Sequence, residues 1–165
     1  MLQRLSTGHY VWKLTSGESG SISPELVVGL ARWKQNRLWN TEAGGLILGF
    51  IDKDTKGILA EEMTKPGRGD KRTRTSFFRG PRHQIEAEQW NKSTLGRGTQ
   101  LGLWHTHPEQ IPTPSHPDLT DCRNVLQYGR LTTEGLLYVI VGTARINFWY
   151  ARRSSPLTLL GAIDI

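Results

Sequence analysis

The sequence predicts an α/β fold in which a mixed or mostly antiparallel central sheet is flanked by two or three helices. Three observations predict it: short apolar runs separated by turns, at least two segments with helical spacing, and 18 Gly with 8 Pro among 165 residues. Short apolar runs are typical of buried strands, and each flanking helix buries one face on the sheet. The length and the lack of a linker predict one domain over residues 1–165.

The first half of the chain predicts a strand, a helix and a hairpin. Ser23 is a residue type that is preferred as a helix N-cap, and Pro24 suits the first helical position. Apolar residues at helical spacing continue to Leu38. The apolar run after Gly44-Gly45 is typical of a buried strand, and the polar turn behind it returns the chain. The predicted elements are a strand at 10–14, a helix from 23 to 38, and hairpin strands at 46–51 and 58–63.

The second half alternates further strands with two helices. In the first of these helices, we expect Ile85 and Trp90 to face the core. The second begins after a Pro-rich turn and contains Cys122, which we interpret as a packing residue. The predicted elements are strands at 76–78, 100–107, 136–141, 145–151 and 157–160, with helices at 82–95 and after 118.

The charge is concentrated in one segment. The net charge is +6, and the segment from Lys65 to Arg82 carries all of it, with Asp70 as its single acid. A solvated loop would explain this segment, and an electrostatic guide for an acidic partner surface or nucleic acid is the alternative. Only Phe77 and Phe78 could stack on bases there, so nucleic acid is the less favoured partner.

The number of cysteines and the hydropathy of the chain indicate the cellular compartment that we expect for the protein. A single cysteine excludes an internal disulfide framework. The first residues lack the apolar core of a signal peptide, and there is no apolar run of about 18 residues. We therefore expect a cytoplasmic protein without a membrane segment.

The most informative stretch runs from His105 to Asp118. On an extended strand, His105 and His107 point to the same side, and the Pro-rich turn can bring Asp118 beside them. Two imidazoles and one carboxylate leave a coordination position open for water, which is typical of catalytic zinc. The alternatives are two ordinary histidines with Ser115 as a helix cap, or an Fe(II) site with the same ligands.

These residues belong to a longer pattern that resembles the JAMM (MPN or JAB) metalloprotease signature. The matching positions are Glu42, Gly44, Gly45, Gly49, His105, His107, Pro108, Pro114, Ser115 and Asp118, within a similarity from about 23 to 150. The resemblance implies a cytidine-deaminase-like fold and a zinc isopeptidase or peptidase acting at the C-terminus of ubiquitin or ubiquitin-like proteins. It implies one Zn²⁺ with a bound water, held by His105, His107 and Asp118. It also implies proton transfer by Glu42 and oxyanion stabilisation by Ser115.

Within that family, the chain resembles bacterial proteases of CBASS antiphage operons. The residues that carry this likeness are 76–80 and 102–108. The likeness implies a protein substrate held by its extended C-terminal tail, namely a conjugated cyclic-oligonucleotide synthase (CD-NTase) or a ubiquitin-like protein. Processing of a sulfur-carrier or ubiquitin-like precursor stays open, as do a nucleic-acid-binding module and an inactive MPN scaffold. The complete ligand set argues against the inactive scaffold, and the predicted helices argue against an iron oxygenase.

One residue departs from the usual pattern. Thr106 stands where Ser is more usual between the two histidines. It is small, and on a strand it would face away from the metal. We therefore expect this difference to have little effect.

Overall fold

One nine-stranded sheet and a separate two-stranded hairpin form the β structure of the computed structural model, which describes residues 1–165. The strands of the sheet are β1 Gln3–Arg4, β2 Tyr10–Lys13, β3 Ser19–Ile22, β4 Gly44–Ile51, β5 Ile58–Met63, β8 Thr99–Thr106, β9 Gly135–Val141, β10 Arg145–Arg152 and β11 Ser155–Asp164. The hairpin consists of β6 Lys71–Arg72 and β7 Phe77–Phe78. The helices are α1 Pro24–Ala31, α2 Arg82–Ser93 and α3 His116–Tyr128.

The sheet is mixed and mainly antiparallel, as predicted. Its strand order is β1-β2-β3-β5-β4-β8-β9-β10-β11. Two neighbouring pairs, β3 with β5 and β8 with β9, are parallel, and the other pairs are antiparallel. Together with three helices, this confirms the predicted fold class. The parallel neighbour β9 and the antiparallel neighbour β4 enclose β8, which carries the His-x-His pair.

The sheet curls until its two edges meet. The backbone N–H of Leu2 donates to the carbonyl of Leu160 over 2.7 Å. Near this junction, the rings of Trp12 and Tyr150 lie 5.0 Å apart. The exposed edges of the sheet therefore partly cover each other, which limits the free backbone groups they would otherwise present.

Two apolar cores lie on opposite faces of the sheet. Alternation along β9 separates them, because Leu137 and Val139 pack into one core while Leu136 and Tyr138 pack into the other. Helix α1 covers the first core, and helices α2 and α3 cover the second. The predicted packing role of Cys122 is confirmed, since this free thiol is buried in the second core and burial raises its pKa to about 12.

The start of α1 was predicted correctly and its end was wrong. The Ser23 hydroxyl accepts from the Leu26 N–H, with Pro24 in the first turn. The helix ends at Ala31, and Leu38 is 82% exposed. The chain leaves the helix because Gln35 turns inward to bond distant groups, and Arg74 binds the carbonyls of the segment behind it.

The face of α2 was predicted correctly for Trp90, which packs against the second core, and incorrectly for Ile85. Ile85 is 53% exposed, whereas His83 and Ala87 are buried. The helix thus turns a histidine inward, because that side chain finds polar partners beneath it. Ile85 lies two positions from both His83 and Ala87, about 200° around the helix, and therefore faces away from the core.

The remaining differences concern short or irregular strands. β1, β3 and β6 were not predicted, because they contain polar residues or glycine and lack apolar alternation. β11 extends over 155–164 and is longer than the predicted 157–160. No helix combines the length and hydropathy that crossing a bilayer requires.

Candidate metal centre

The two histidines of the His-x-His pair lie together at the end of β8. His105 is the penultimate residue of the strand and His107 follows its last residue. Both are buried, and their Nε2 atoms are 3.0 Å apart. The ring of His105 also packs edge-on against Tyr138 of β9, with centroids 5.6 Å apart. The two-residue spacing therefore places both imidazoles in one space on the α2 and α3 side of the sheet.

The first turn of α3 brings Asp118 to the histidines. Ser115 is the N-cap of this helix: its hydroxyl accepts from the Asp118 N–H, and the Asp118 carboxylate accepts from the Ser115 N–H over 2.6 Å. Asp118 Oδ1 lies 3.1 Å from His105 Nε2, and Oδ2 lies 3.2 Å from His107 Nε2. The Tyr138 hydroxyl donates to the backbone carbonyl of Asp118 and fixes the turn from below.

The spacing of these side chains suits a small tetrahedral cation. The ligand atoms of His105, His107 and Asp118 all lie within 4.8 Å of one another. Two ligands bonded to zinc at about 2.0–2.1 Å and at a tetrahedral angle are about 3.3 Å apart. The three separations of 3.0, 3.1 and 3.2 Å are close to that value. Two imidazoles and one carboxylate thus form a donor set that fits zinc in both chemistry and size.

The protonation of the three groups follows from their surroundings. Burial lowers the pKa of His105 and keeps it neutral. Burial also opposes the charged form of His107, but its hydrogen bond and attraction to Asp118 raise its pKa above the ordinary value. Burial would raise the pKa of Asp118, but the two imidazoles hold it far below its usual range. His107 must be neutral to bind a metal. At a pH near or below its pKa, metal binding therefore displaces a proton from this imidazole.

Glu42 lies beside the same cluster. Its side chain is buried, and its Oε1 is 4.0 Å from His107 Nε2. Burial raises the pKa of Glu42 to about 7, and the charges of Asp118 and Glu109 add to this effect against that of His107. A carboxyl group with this pKa exchanges a proton readily near neutral pH, which is the property required of a general acid and base.

Two glycines allow Glu42 to come this close. A Cβ atom on Gly44 would lie 2.5 Å from the Phe77 ring and 2.8 Å from the carbonyl of Trp104. A Cβ atom on Gly45 would lie 2.5 Å from the carbonyl of Thr64. The pair therefore lets β4 start in direct contact with β8 and the hairpin.

The β6–β7 hairpin, residues 71–79, connects the two sides of the cluster. Arg72 Nε donates to the Glu42 carbonyl over 2.6 Å, and the Glu42 N–H donates to the Thr73 carbonyl over 2.7 Å. At the other end, Arg79 binds both carboxylate oxygens of Asp121 on α3, at 2.6 and 2.8 Å. The hairpin thus holds the Glu42 segment and the helix of Asp118 at a fixed separation.

The basic segment predicted from the sequence divides into two groups. Four arginines bind other parts of the chain: Arg72 and Arg79 as above, Arg74 to the carbonyls of residues 37 and 38, and Arg82 to the Lys65 carbonyl and Glu86. Lys65, Arg68 and Lys71 are exposed and make no side-chain hydrogen bond or ion pair. Four of the cations therefore stabilise the fold, and the other three face solvent.

Ser115 is the most exposed of the predicted site residues. Its hydroxyl oxygen accepts from the Asp118 N–H, while the hydroxyl hydrogen has no acceptor in the structure. The predicted cap is thus formed and leaves one donor for another group. His116 is exposed beside it, and His83 lies outside the cluster, paired with Asp70.

The sequence did not reveal the residues that support the cluster. Arg72 acts on Glu42 from 30 positions away, Arg79 binds Asp121 from 42 away, and Gln35 bonds Thr106 from 71 away. No local spacing connects such pairs, so the sequence pattern carries no signal for them.

Comparison with known proteins agrees with this geometry. A family model described as prokaryotic homologs of the JAB domain matches residues 27–152. A protein of Escherichia coli named CD-NTase/cGAS isopeptidase is 31% identical over 133 residues, covering 80% of each chain. A Vibrio cholerae protein of the same name is 29% identical over 137 residues, covering 82% of this chain and 83% of its own.

A solved structure shares the fold. The solution structure of a Desulfitobacterium hafniense protein has a TM-score of 0.57 at 19% identity, covering 87% of this chain and 88% of its own. At that identity, the likeness concerns the fold alone. The family match spans most of the chain and includes Glu42, both histidines and Asp118. The chain therefore belongs to the family of prokaryotic homologs of the JAB domain.

Proposed function

We propose that this protein is a zinc-dependent isopeptidase that releases a CD-NTase, or a ubiquitin-like modifier, from a conjugate in CBASS antiphage defence. The observation that carries the proposal is the buried cluster of His105, His107 and Asp118 with Glu42 beside it. Two relatives named CD-NTase/cGAS isopeptidase support the choice of reaction and substrate. The proposal includes a cytoplasmic location, as expected for a defence system of this kind.

His105, His107 and Asp118 would hold the zinc ion. When bound, zinc supplies Lewis-acid polarisation and makes hydroxide available from water near neutral pH. Asp118 is suited to its role because its carboxylate is already oriented by the Ser115 N–H. The burial of both histidines keeps bulk water from competing for their nitrogen atoms.

Glu42 would move the proton. Hydrolysis adds water across the amide: the carbonyl carbon gains oxygen, the C–N bond breaks, and the nitrogen leaves as an amine. Glu42 accepts the proton released by the attacking water and delivers it to that nitrogen, so it ends each cycle as a carboxylate. Burial, which raises the pKa of Glu42 in the metal-free protein, helps this carboxyl group to hold the proton between the two steps.

Ser115 would stabilise the negative oxygen that develops on the carbonyl. Its hydroxyl hydrogen is free to donate, and its oxygen is held in place by the Asp118 N–H. Donors of this kind typically contribute ~10²–10³ to the rate when they are aimed at the developing charge. The same residue would thus cap α3 and serve the reaction.

The substrate would enter as an extended C-terminal tail. The exposed cations Lys65, Arg68 and Lys71 lie at and near the hairpin that bonds Glu42, so they could attract an acidic protein surface toward the site. A protein partner is therefore favoured over nucleic acid, because the segment lacks the aromatic side chains that stack on bases.

The test combines metal analysis with cleavage. The probe is a CD-NTase whose C-terminal tail is fused to a reporter protein. We expect wild type to bind one equivalent of zinc and release the reporter, and Glu42→Gln to keep the zinc and lose cleavage by at least ~10²-fold. Equal cleavage by wild type and Glu42→Gln would remove Glu42 from the mechanism.

A second glutamate provides the matched control. Burial also raises the pKa of Glu61, which lies on β5 away from the cluster. Glu61→Gln removes a similar partly buried carboxylate and should cleave like wild type. Loss of cleavage in both variants would point to a general effect of the substitution. A zinc-loaded wild type that never cleaves the probe would contradict the proposed function.

A further inference from the structure

We propose that Thr106 and Gln35 are positioning residues whose buried hydrogen bonds fix the Glu42 segment and the hairpin relative to the His-x-His strand. The inference rests on the proposed function, because Glu42 has a catalytic role only there. Neither side chain touches the candidate metal ligands' nitrogen or oxygen atoms. Both act through backbone groups on either side of Glu42.

Thr106 faces away from the two histidines, as expected on a strand, and is fully buried. Its hydroxyl accepts from the Ala43 N–H over 2.9 Å and donates to Gln35 Oε1 over 2.9 Å. The backbone N–H of Thr106 also donates to the Ala43 carbonyl over 2.8 Å. The residue between the histidines is thus bonded on both sides to the residue that follows Glu42.

Gln35 continues the network toward the hairpin. Its side-chain amide donates to the Arg74 carbonyl over 2.9 Å and to the Asn40 carbonyl over 3.2 Å. Because carbonyl oxygens only accept, the two N–H groups of Gln35 must face them, which leaves Oε1 for the Thr106 hydroxyl. Both donors of the amide are therefore used, although Gln35 is only 2% exposed.

The network is complete, and this makes it rigid. A buried amide or hydroxyl without partners is unfavourable, so alternative positions of these loops are disfavoured. The bonds join segments that are 63, 71 and 39 residues apart in sequence. They meet around Glu42, whose own N–H binds the carbonyl of Thr73, next to Arg74.

The hydroxyl, and not the exact residue type, is what the network requires. Serine offers the same donor and acceptor as threonine, so the departure from the usual residue keeps the bonds intact. Valine has the shape of threonine without the hydroxyl. It would leave the Ala43 N–H and Gln35 Oε1 without their partner in a buried site.

The experiment compares Thr106→Ser with Thr106→Val in the zinc-loaded protein, using the CD-NTase–reporter fusion. We expect Thr106→Ser to keep kcat within about threefold of wild type. Thr106→Val should lower kcat on the order of 10–100-fold, because a displacement of about 1 Å at a catalytic group has that effect. The zinc content should be equal in all three proteins, and KM should stay within about threefold.

Thr94→Val is the matched control. The Thr94 hydroxyl also accepts from a backbone N–H, that of Gly98, and donates to a backbone carbonyl, that of Trp90. It lies at the end of α2, away from the cluster. This variant should unfold more easily than wild type yet keep its kcat, which separates loss of stability from loss of position.

A second readout needs no activity. Amide hydrogen exchange of residues 38–44 and 72–76, measured without metal, should become faster in Thr106→Val and in Gln35→Met, and unchanged in Thr94→Val. Gln35→Met keeps the side-chain length, removes the amide, and replaces Thr106→Val if the latter does not fold. A folded, zinc-loaded variant of either kind with wild-type kcat and exchange would overturn the proposal. If wild type itself does not cleave, the proposed function fails, and exchange alone decides whether the network orders these segments.

Discussion

At the scale of single residues, Asp118 performs two tasks with one carboxylate. It accepts the Ser115 N–H at the start of α3 and faces both imidazoles at 3.1 and 3.2 Å. The helix start therefore orients the carboxylate before any metal arrives, which lowers the cost of assembling the ligand set. The carboxylate also stabilises the helix, because its negative charge is attracted to the partial positive charge of the first turn.

Replacing this carboxylate should separate the two tasks. Asp118→Asn keeps a side chain that can accept from Ser115 but removes the charge that is proposed to bind the metal. Because loss of a group that only supports a ligand costs about 10–100-fold in metal affinity, loss of a ligand should cost at least about 100-fold. Competition with a zinc chelator measures the affinity, and circular dichroism checks that α3 persists. Asp54→Asn, at an exposed aspartate in the turn between β4 and β5, should bind zinc as wild type does; equal affinity in both variants would contradict the assignment of Asp118.

The site residues differ in how far the sequence could predict them. The proximity of His105 and His107 could be predicted from their two-residue spacing on a strand. The proximity of Asp118 could be predicted because the turn before it needs only to reverse the chain. Gln35 and Thr106 gave no such signal. A glutamine in a polar stretch looks solvent-exposed, and only the fold shows that the carbonyls of Asn40 and Arg74 enclose it.

At the scale of elements, a second buried hydrogen-bond network, separate from that of Gln35 and Thr106, holds the start of the hairpin. The Thr64 hydroxyl donates to His83 Nδ1 over 2.6 Å, and His83 Nε2 donates to Asp70 over 3.0 Å. Burial lowers the pKa of His83. Burial would raise the pKa of Asp70, but the N–H groups of Gly80 and Gly67 and the bond to His83 lower it instead. A neutral histidine and an ionised aspartate thus link the residue after β5, helix α2 and the residue before β6.

This pair should make the protein less stable in mild acid. The folded state binds a proton at His83 less readily than the unfolded state, so this stabilisation is present above about pH 6.5 and is lost as pH falls below it. Because the pKa of Asp70 is also lowered in the folded state, its protonation at lower pH should reduce the stability further. Urea unfolding at pH 7.5, 6.5 and 5.5 measures the effect, which should be smaller in His83→Gln. His116→Gln, at an exposed histidine, should keep the wild-type dependence; an equal dependence in all three proteins would contradict this account.

The charge of the basic segment can be tested without disturbing the hairpin. Reversal of Arg72 and Arg74 would break bonds to the backbone around Glu42, so any change in KM would be ambiguous. Lys65, Arg68 and Lys71 are free of such bonds. Reversing these three to Glu should raise KM for the CD-NTase–reporter fusion several-fold at low salt, with little change in kcat or melting temperature, because rim charges act mainly on encounter.

The salt dependence supplies the control for this variant. At high ionic strength, the difference in KM between wild type and the triple variant should shrink, since screening removes long-range attraction. Arg74→Ala should instead lower the melting temperature, because the carbonyls of residues 37 and 38 lose their donor. A triple variant with an unchanged KM at low salt would count against a guiding role for these cations.

Element ends were harder to predict than element cores. The cap at Ser23 and the apolar strand around Ile47 depend on local chemistry, and both form where predicted. The end of α1 depends on Gln35 and Arg74, which reach groups far along the chain and outweigh the helical spacing up to Leu38. The local sequence pattern therefore predicted where α1 starts, whereas hydrogen bonds to distant parts of the chain determine where it ends.

At the scale of the whole molecule, the curled sheet brings strands from opposite ends of the chain into one core. Trp12 of β2 is 3% exposed and packs against Tyr150 of β10. An ion pair of Glu18 with Arg152, at 2.6 Å, lies across the same closure. The edges are thus held by apolar contact as well as by the backbone bond between Leu2 and Leu160.

Truncating the tryptophan should open this closure. Trp12→Ala is expected to lower the free energy of unfolding by about 3–5 kcal/mol, as is usual for a large buried aromatic side chain. Trp39→Ala removes the same side chain from a position that is 74% exposed, and should change the unfolding free energy by no more than about 0.5 kcal/mol. Urea denaturation of the three proteins measures both. Equal stability of the two variants would mean that the closure contributes little to folding.

The buried thiol of Cys122 has a practical consequence for following the molecule in motion. Thiolate reacts with maleimide dyes and thiol does not, so a cysteine whose pKa is raised to about 12 stays unlabelled near neutral pH. Cysteines introduced on the hairpin and on α3 would then take fluorophores selectively, with the native one left in place. Fluorescence energy transfer between them would report in real time whether the distance between the hairpin and α3 changes when the proposed substrate is added.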